Sequence, residues 1–200
     1  MAEKIVIEIY KTKTADELTK LIADPDSRLD TGSAAAMDAA TAAALLCRAA
    51  AICQKTQSGE RLDYIQRNAD KIREYMIYLI DEDVKARAPM KKHIADGSDE
   101  RTLEASRQVA VSITNEIVNM MGNSLDLMRE LSDIAVEDAK RFIAEAAHTA
   151  LAAMKCAASY TDFIASRSRD ETYRFVAKRE NEISIEQYTA VYDEIIARCK

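Results

Sequence analysis

Glycine and proline are scarce in this chain, four and two in 200 residues, far below ordinary usage. So few turn formers disfavour folds built from many short strands and favour long helices. An excess of basic residues is missing too. Lys and Arg number 28 against 34 Asp and Glu, a net charge of -6, which argues against a general phosphate-neutralising surface for nucleic acid. Cys47, Cys53, Cys156 and Cys199 contain no C-x-x-C pair, and a chain this long can bury enough apolar surface without staples, so they read as small core residues in a reducing cytosol. His93 and His148 lie on separate segments with no ligand spacing, so no metal centre is expected. P-loop and G-x-G-x-x-G phosphate cradles are absent. No uninterrupted apolar run reaches the roughly 18 residues that span a bilayer, and the opening MAEKIVIEIYKTKT is broken by charges, unlike a signal peptide. A cytoplasmic protein without a membrane partner is expected. No repeat or low-complexity linker divides residues 1–200, which read as one domain with 1–12 as an extended arm.

What is present is helical. Thr14-x-x-Glu17, Ser168-x-x-Glu171 and Ser184-x-x-Gln187 each fit the capping box. Helices are predicted near 15–24, 33–56, 60–87, 100–131, 134–166, 169–180 and 185–198, the third ended by Pro89. Eleven of the eighteen residues from Ala34 to Ala51 are alanine, so neighbouring backbones can approach this segment closely and it should form the axis of the bundle. Asp30, Thr31 or Ser33 would cap it, with Gly32 permitting a tight turn. Ile5, Ile7 and Ile9 alternate with Val6, Glu8 and Tyr10, which reads either as a short strand needing a partner or as an arm on the helices. The expected class is an all-α, up-and-down helical bundle with long Ala-rich central helices, dimeric, with this strand as an option.

Polar groups on apolar faces are the candidates for function. Ile65, Ala69, Ile72, Met76 and Leu79 trace one face, and the next step of four lands on Asp83. A carboxylate on an inward stripe costs several kcal/mol unless it is paired or faces a cleft. It is therefore either a structural pair, for instance with Arg48, or an acid-base or binding group, while Asp81, Glu82, Lys85 and Arg87 can face water. Asp38 lies on a polar stripe of the Ala-rich helix with Thr41 and Arg48. Glu137 and Asp138 open the fifth helix, where the macrodipole favours acids in any case. Met120 and Met121 read as core.

In this order the pieces resemble the cyclodeaminase/cyclohydrolase family of folate proteins, from about Thr14 to Lys200. That family has a helix, a Pro-Gly-Gly-Gly-Ser turn and a long Ala-rich helix. TADELTKLIADPDSRLDTGSAAAMDAATAAALL follows that course, with Gly32 and Ser33 in the last two turn positions. LIDEDVKAR is similar to the family's Leu-Ile-Asp-Glu-Asp-Ala segment, and Ala135-Val136-Glu137-Asp138 stands where a Ser-Asp pair is usual. Leu29, Asp30 and Thr31 replace the proline and first two glycines, Lys140 stands where a glycine is expected, and Cys156 and Tyr160 fall near two family asparagines. The resemblance implies a one-carbon tetrahydrofolate enzyme that either expels ammonia from 5-formimidoyl-tetrahydrofolate or hydrolyses the 5,10-methenyl bridge, with no metal or redox cofactor. It implies Asp83 as acid-base group, Asp138 holding the pterin, and Gly32 and Ser33 as turn donors. Asp38, Glu137 and Lys140 are expected as further ligand contacts, and Lys91, Lys92, Lys140 or Arg141 would attract an anionic tail. It also implies a homodimer. The changed turn leaves a second reading open, a re-purposed helical dimer binding another small molecule or a protein.

Overall fold

The computed structural model describes residues 9–200. Among the described residues seven helices follow one another: α1 (Ala15–Ala23), α2 (Thr31–Cys53), α3 (Glu60–Ala95), α4 (Glu100–Ala110), α5 (Ser112–Ile134), α6 (Glu137–Ala165) and α7 (Glu171–Arg198). No strand occurs among the described residues. The candidate strand falls mostly on residues outside them; of its residues only Ile9 and Tyr10 are described. Tyr10 is buried, and its backbone N–H donates to the Asp81 carboxylate at 2.6 Å.

α2 is the axis, packed chiefly against α3 and α6. Its alanines explain why: Ala35, Ala36, Ala39, Ala42, Ala43, Ala49 and Ala50 are fully buried, and such short side chains let the neighbours close in. α6 answers with a second alanine row, including Ala139, Ala146, Ala147, Ala150, Ala153 and Ala157, while Leu46, Met76, Met121, Met128 and Met154 supply bulk. By length and mean hydropathy, 1.5, α2 passes for a membrane-crossing helix, although Asp38 and Arg48 interrupt its apolar run. The qualifying window is half buried inside the bundle.

Helix boundaries depart from the sequence reading where tertiary contacts outweigh local signals. The box at Thr14 forms, with Glu17 N–H donating to the Thr14 hydroxyl and Thr14 N–H to the Glu17 carboxylate. At the second box Asp170 takes the cap instead, accepting from Tyr173 N–H. Ser168 is drawn away to donate to Glu104 at 2.6 Å. The third box does not form. Ser184 lies inside an unbroken α7, which is held across that point by Asn181 donating to the Ala158 carbonyl and to Asp162. The predicted helix 100–131 breaks at Val111, which turns into a small cluster with Met90, Ala110, Tyr160 and Ile164. Pro89 does not end α3, which runs through it for 36 residues. The carbonyl that a proline frees, Lys85's, lies on an exposed stretch where water can serve it.

Candidate functional site

Gly32 and Asp83 are placed together by the crossing of α2 over α3. Asp30 caps α2, its carboxylate accepting from Thr31 N–H at 2.8 Å. The helix therefore starts two residues before the predicted point and Gly32 sits in its first turn. No left-handed backbone is involved, since Gly97 alone among the described residues has a left-handed φ. Gly32 is needed for a different reason: a Cβ there would lie 2.1 Å from Asp83 Oδ1 and 2.7 Å from its Cγ.

Asp83 is fully buried. Its Oδ2 accepts from the Ser33 hydroxyl at 2.6 Å, from Arg87 Nη2 at 2.8 Å and from Arg87 Nε at 3.1 Å, while Oδ1 has no hydrogen-bond partner among the described residues. Of the two readings of Asp83, the structure shows the pairing: the carboxylate is bonded to Ser33 and Arg87. Gly32, Ser33 and Arg87 enclose the carboxylate. Its partner is Arg87, one turn along the same helix and 1% exposed, rather than Arg48, which lies over the Phe142 ring. Asp81 and Arg87, both expected in water, are buried.

Arg87 carries the arrangement outward. Nη1 donates to Asp30 Oδ2 at 3.1 Å and Nη2 to the Arg28 carbonyl at 2.8 Å. Burial alone would favour loss of its proton, but Asp83 and Asp30 more than offset this and its pKa is raised. Asp30, by contrast, keeps a side chain 40% exposed. It lines a hollow of about 580 Å³ with Thr31, Lys91, Tyr160, Phe163 and Arg167, floored by Met90 and Ile164. The Tyr160 hydroxyl stays protonated at any ordinary pH, its pKa pushed up to about 12 by burial, although Arg87 pulls the other way. Asp30, Thr31 and Lys91 also border a neighbouring hollow of about 350 Å³ that contains Asp38 and Cys156. Burial raises the pKa of Asp38.

The remaining expected site residues lie elsewhere. Glu137, Asp138 and Lys140 border a third hollow, of about 950 Å³, with Arg48, Arg141 and Phe142. Lys140 pairs with Glu137 at 2.8 Å. From Asp138 to Tyr160 is 22 residues of continuous α6, about 33 Å at the helical rise. Within one chain, then, Asp138 does not converge with Gly32 and Asp83. Lys92 pairs with Asp96 at the surface. Sequence reasoning treated Asp30 as a cap only and Arg87 as solvated. The signal that finds them is the spacing Asp83-x-x-x-Arg87, an i,i+4 pair on the inward stripe itself.

The family model for formiminotransferase-cyclodeaminase matches residues 14–183. Formiminotetrahydrofolate cyclodeaminase from Thermotoga maritima has a similar structure, with a TM-score of 0.80 over 94% of this chain and 96% of that one at 18% sequence identity. At that identity the likeness is one of fold. No curated protein matches the sequence.

Proposed function

The chain belongs to the formiminotransferase-cyclodeaminase family, and from that premise we propose that it acts on one-carbon tetrahydrofolate at the hollow where Asp30 and Tyr160 meet. One observation carries the proposal. A half-exposed carboxylate, Asp30, is fixed by a buried guanidinium at the wall of a cavity whose apolar floor suits a flat ring system and whose Lys91 and Arg167 suit a carboxylate tail.

In the cyclodeaminase reaction N10 attacks the formimidoyl carbon, the N10 proton must reach the departing amine, and ammonia leaves to give the methenyl cation. Asp30 takes that proton from N10 and returns it to the amine. In the hydrolase direction the same carboxylate removes a proton from water as it adds to the methenyl carbon. Neither sequence calls for a metal or a redox cofactor. Asp83 is then a positioning residue, acting through Arg87, and Gly32 exists to admit it.

The working form in this proposal is a cytoplasmic homodimer. α2 and α6 lie side by side and expose Thr41, Ala44, Ala51, Ala152 and Ser159, a surface low enough for a second copy to approach. A two-fold axis near the middle of α6 would carry the Asp138 hollow of one chain towards the Asp30 hollow of the other. That pairing would restore in the dimer the convergence absent from the single chain. The second reading, a re-purposed binder, draws support from Asp30 itself, which stands where the resemblance expects a glycine and engages the Thr31 N–H.

The test is the absorbance of 5,10-methenyl-tetrahydrofolate, followed in both reaction directions with wild type, Asp30→Asn and Tyr160→Phe. Turnover by wild type that falls at least a hundredfold in Asp30→Asn supports the enzyme. Absence of turnover and of binding leaves the re-purposed binder.

A further inference from the structure

We propose that residues 14–27, α1 and the turn after it, form a strap that swings off the bundle and admits ligand to the hollow beneath it. The device governs access, so it does not depend on which ligand enters.

The strap is held at its ends. At one end the N–H groups of Tyr10 and Lys11 both donate to Asp81 Oδ1, at 2.6 and 3.3 Å, and the Tyr10 side chain is buried. At the other the Arg28 carbonyl accepts from Arg87 Nη2 at 2.8 Å, and Leu29 is buried. Both clamps sit on α3, at positions 81 and 87, about 9 Å apart along the helix. Two fastenings so close together define a hinge line, about which the segment between them can turn without breaking either.

Between the clamps the polar contacts are local. Among the described residues, Thr14 and Glu17 each accept from the other's N–H, the Thr19 hydroxyl donates to the Ala15 carbonyl, Lys20 pairs with Asp16, and the Asp24 carboxylate accepts from the Asp26 N–H. None of these bonds reaches another helix. Of α1 only Leu18 is buried, with Leu21 and Ile22 partly buried against the core. A helix of nine residues is too short to stand on propensity alone. Its seat is therefore three side chains, and a segment opens most readily where so little apolar surface is covered.

What the strap covers is a cavity. Ile22, Asp24, Pro25 and Ser27 supply part of the wall of the hollow of about 350 Å³, which Ala35 borders from α2 and Cys156 from α6. That hollow shares Asp30, Thr31 and Lys91 with the one of about 580 Å³. Swinging the strap aside removes the wall it supplies and joins the two into one open cleft. Ala35 has no exposed surface while the strap is down.

The test needs no ligand. Amide exchange is followed on the full chain at low urea concentrations, in wild type and in Asp81→Ala, which releases the first clamp. The hydrogen-bonded amides of residues 18–23 should exchange about a hundredfold faster than those in the middle of α2 and α6, with little urea dependence, as for a local opening. Asp81→Ala should quicken them about tenfold further, the effect of losing a hydrogen bond to a charged group, and leave the α6 amides unchanged. Ala35→Cys places a thiol in the hollow, and its alkylation by iodoacetamide, read by peptide mass, should rise by the same factor when Asp81→Ala is added. Three results overturn the strap. Residues 18–23 exchange only with global unfolding, at the urea dependence of α2; or Asp81→Ala affects α1 and α6 alike; or the thiol at position 35 reacts no faster when α1 opens. None of the three bears on the folate reading, which stands or falls on turnover.

Discussion

Replacing Gly32 by alanine tests the crossing on which the site depends. The new Cβ would lie 2.1 Å from Asp83 Oδ1 and 2.7 Å from Cγ, both far inside van der Waals contact. An exposed carboxylate would rotate away. This one is fully buried, is held on Oδ2 by Ser33 and twice by Arg87, and has a short side chain with nowhere to go. Relief comes only by forcing apart the helices or breaking the pair. Breaking a buried ion pair costs about 3–5 kcal/mol, and the preference of a helix for alanine over glycine returns about 1 kcal/mol. The expected net loss is about 2–4 kcal/mol, a large share of the stability of an ordinary domain. Urea unfolding at constant m-value measures it. The cause is isolated by repeating the substitution in an Asp83→Ala background, where the obstructing carboxylate is gone and alanine at 32 should be neutral or stabilising. A loss below about 0.5 kcal/mol in wild type, or the same loss in both backgrounds, would refute the packing argument.

Pro89→Ala restores a donor within α3, and against the unfolded-state advantage of proline it should stabilise by about 2 kcal/mol in the same urea assay; destabilisation would mean that α3 relies on the ring. Ser184→Ala should change stability by no more than about 0.5 kcal/mol, because Ser184 is mid-helix, whereas a loss near 1 kcal/mol would reinstate the cap. The Asp99 carboxyl is held below its ordinary 3.8 by hydrogen bonds from the Thr102 hydroxyl and N–H. The folded value is therefore the lower one, so the cap contributes fully above pH 3.8 and its contribution fades as pH falls through the lowered value. Amide exchange at Thr102 should quicken there in wild type and stay flat in Asp99→Asn. The Cys47 thiol is pushed up to about 11 by burial and then by Asp70. At pH 8 it should react with a disulfide reagent far more slowly than exposed Cys156, and equal rates in single-cysteine variants would contradict its burial.

The bundle was legible where its signals are local or periodic. The Thr14 box, the alanine axis and the apolar stripe from Ile65 to Leu79 all stand as read. What failed was anything decided by a distant partner. Ser184 has the residues of a cap, yet Asn181 and its contacts with α6 outweigh them. Gly32 reads as a turn former, and only the position of Asp83 turns it into a requirement for space. Arg87 reads as solvated because arginine usually is, and its burial follows from two carboxylates on separate helices. The site was half legible. Gly32, Ser33 and Asp83 do meet, but Asp83 is fully buried against Arg87, and Asp30, read as a cap, is also the exposed carboxylate of the cluster. Asp138 looked equivalent because linear order says nothing about which end of a helix faces which hollow.

The alanine axis has a consequence for how this protein can vary. Alanine gives up no rotamer freedom on burial, but it also has no conformer to yield, so any larger residue at Ala39, Ala42 or Ala43 must push neighbouring backbones apart. The buried face of α2 is thus closed to gradual change. Novelty has to enter on its exposed face or at its two tips, from Leu29 to Ser33 and from Arg48 to Thr56, which border the hollows. A lineage built on this scaffold can exchange ligands without redesigning its interior.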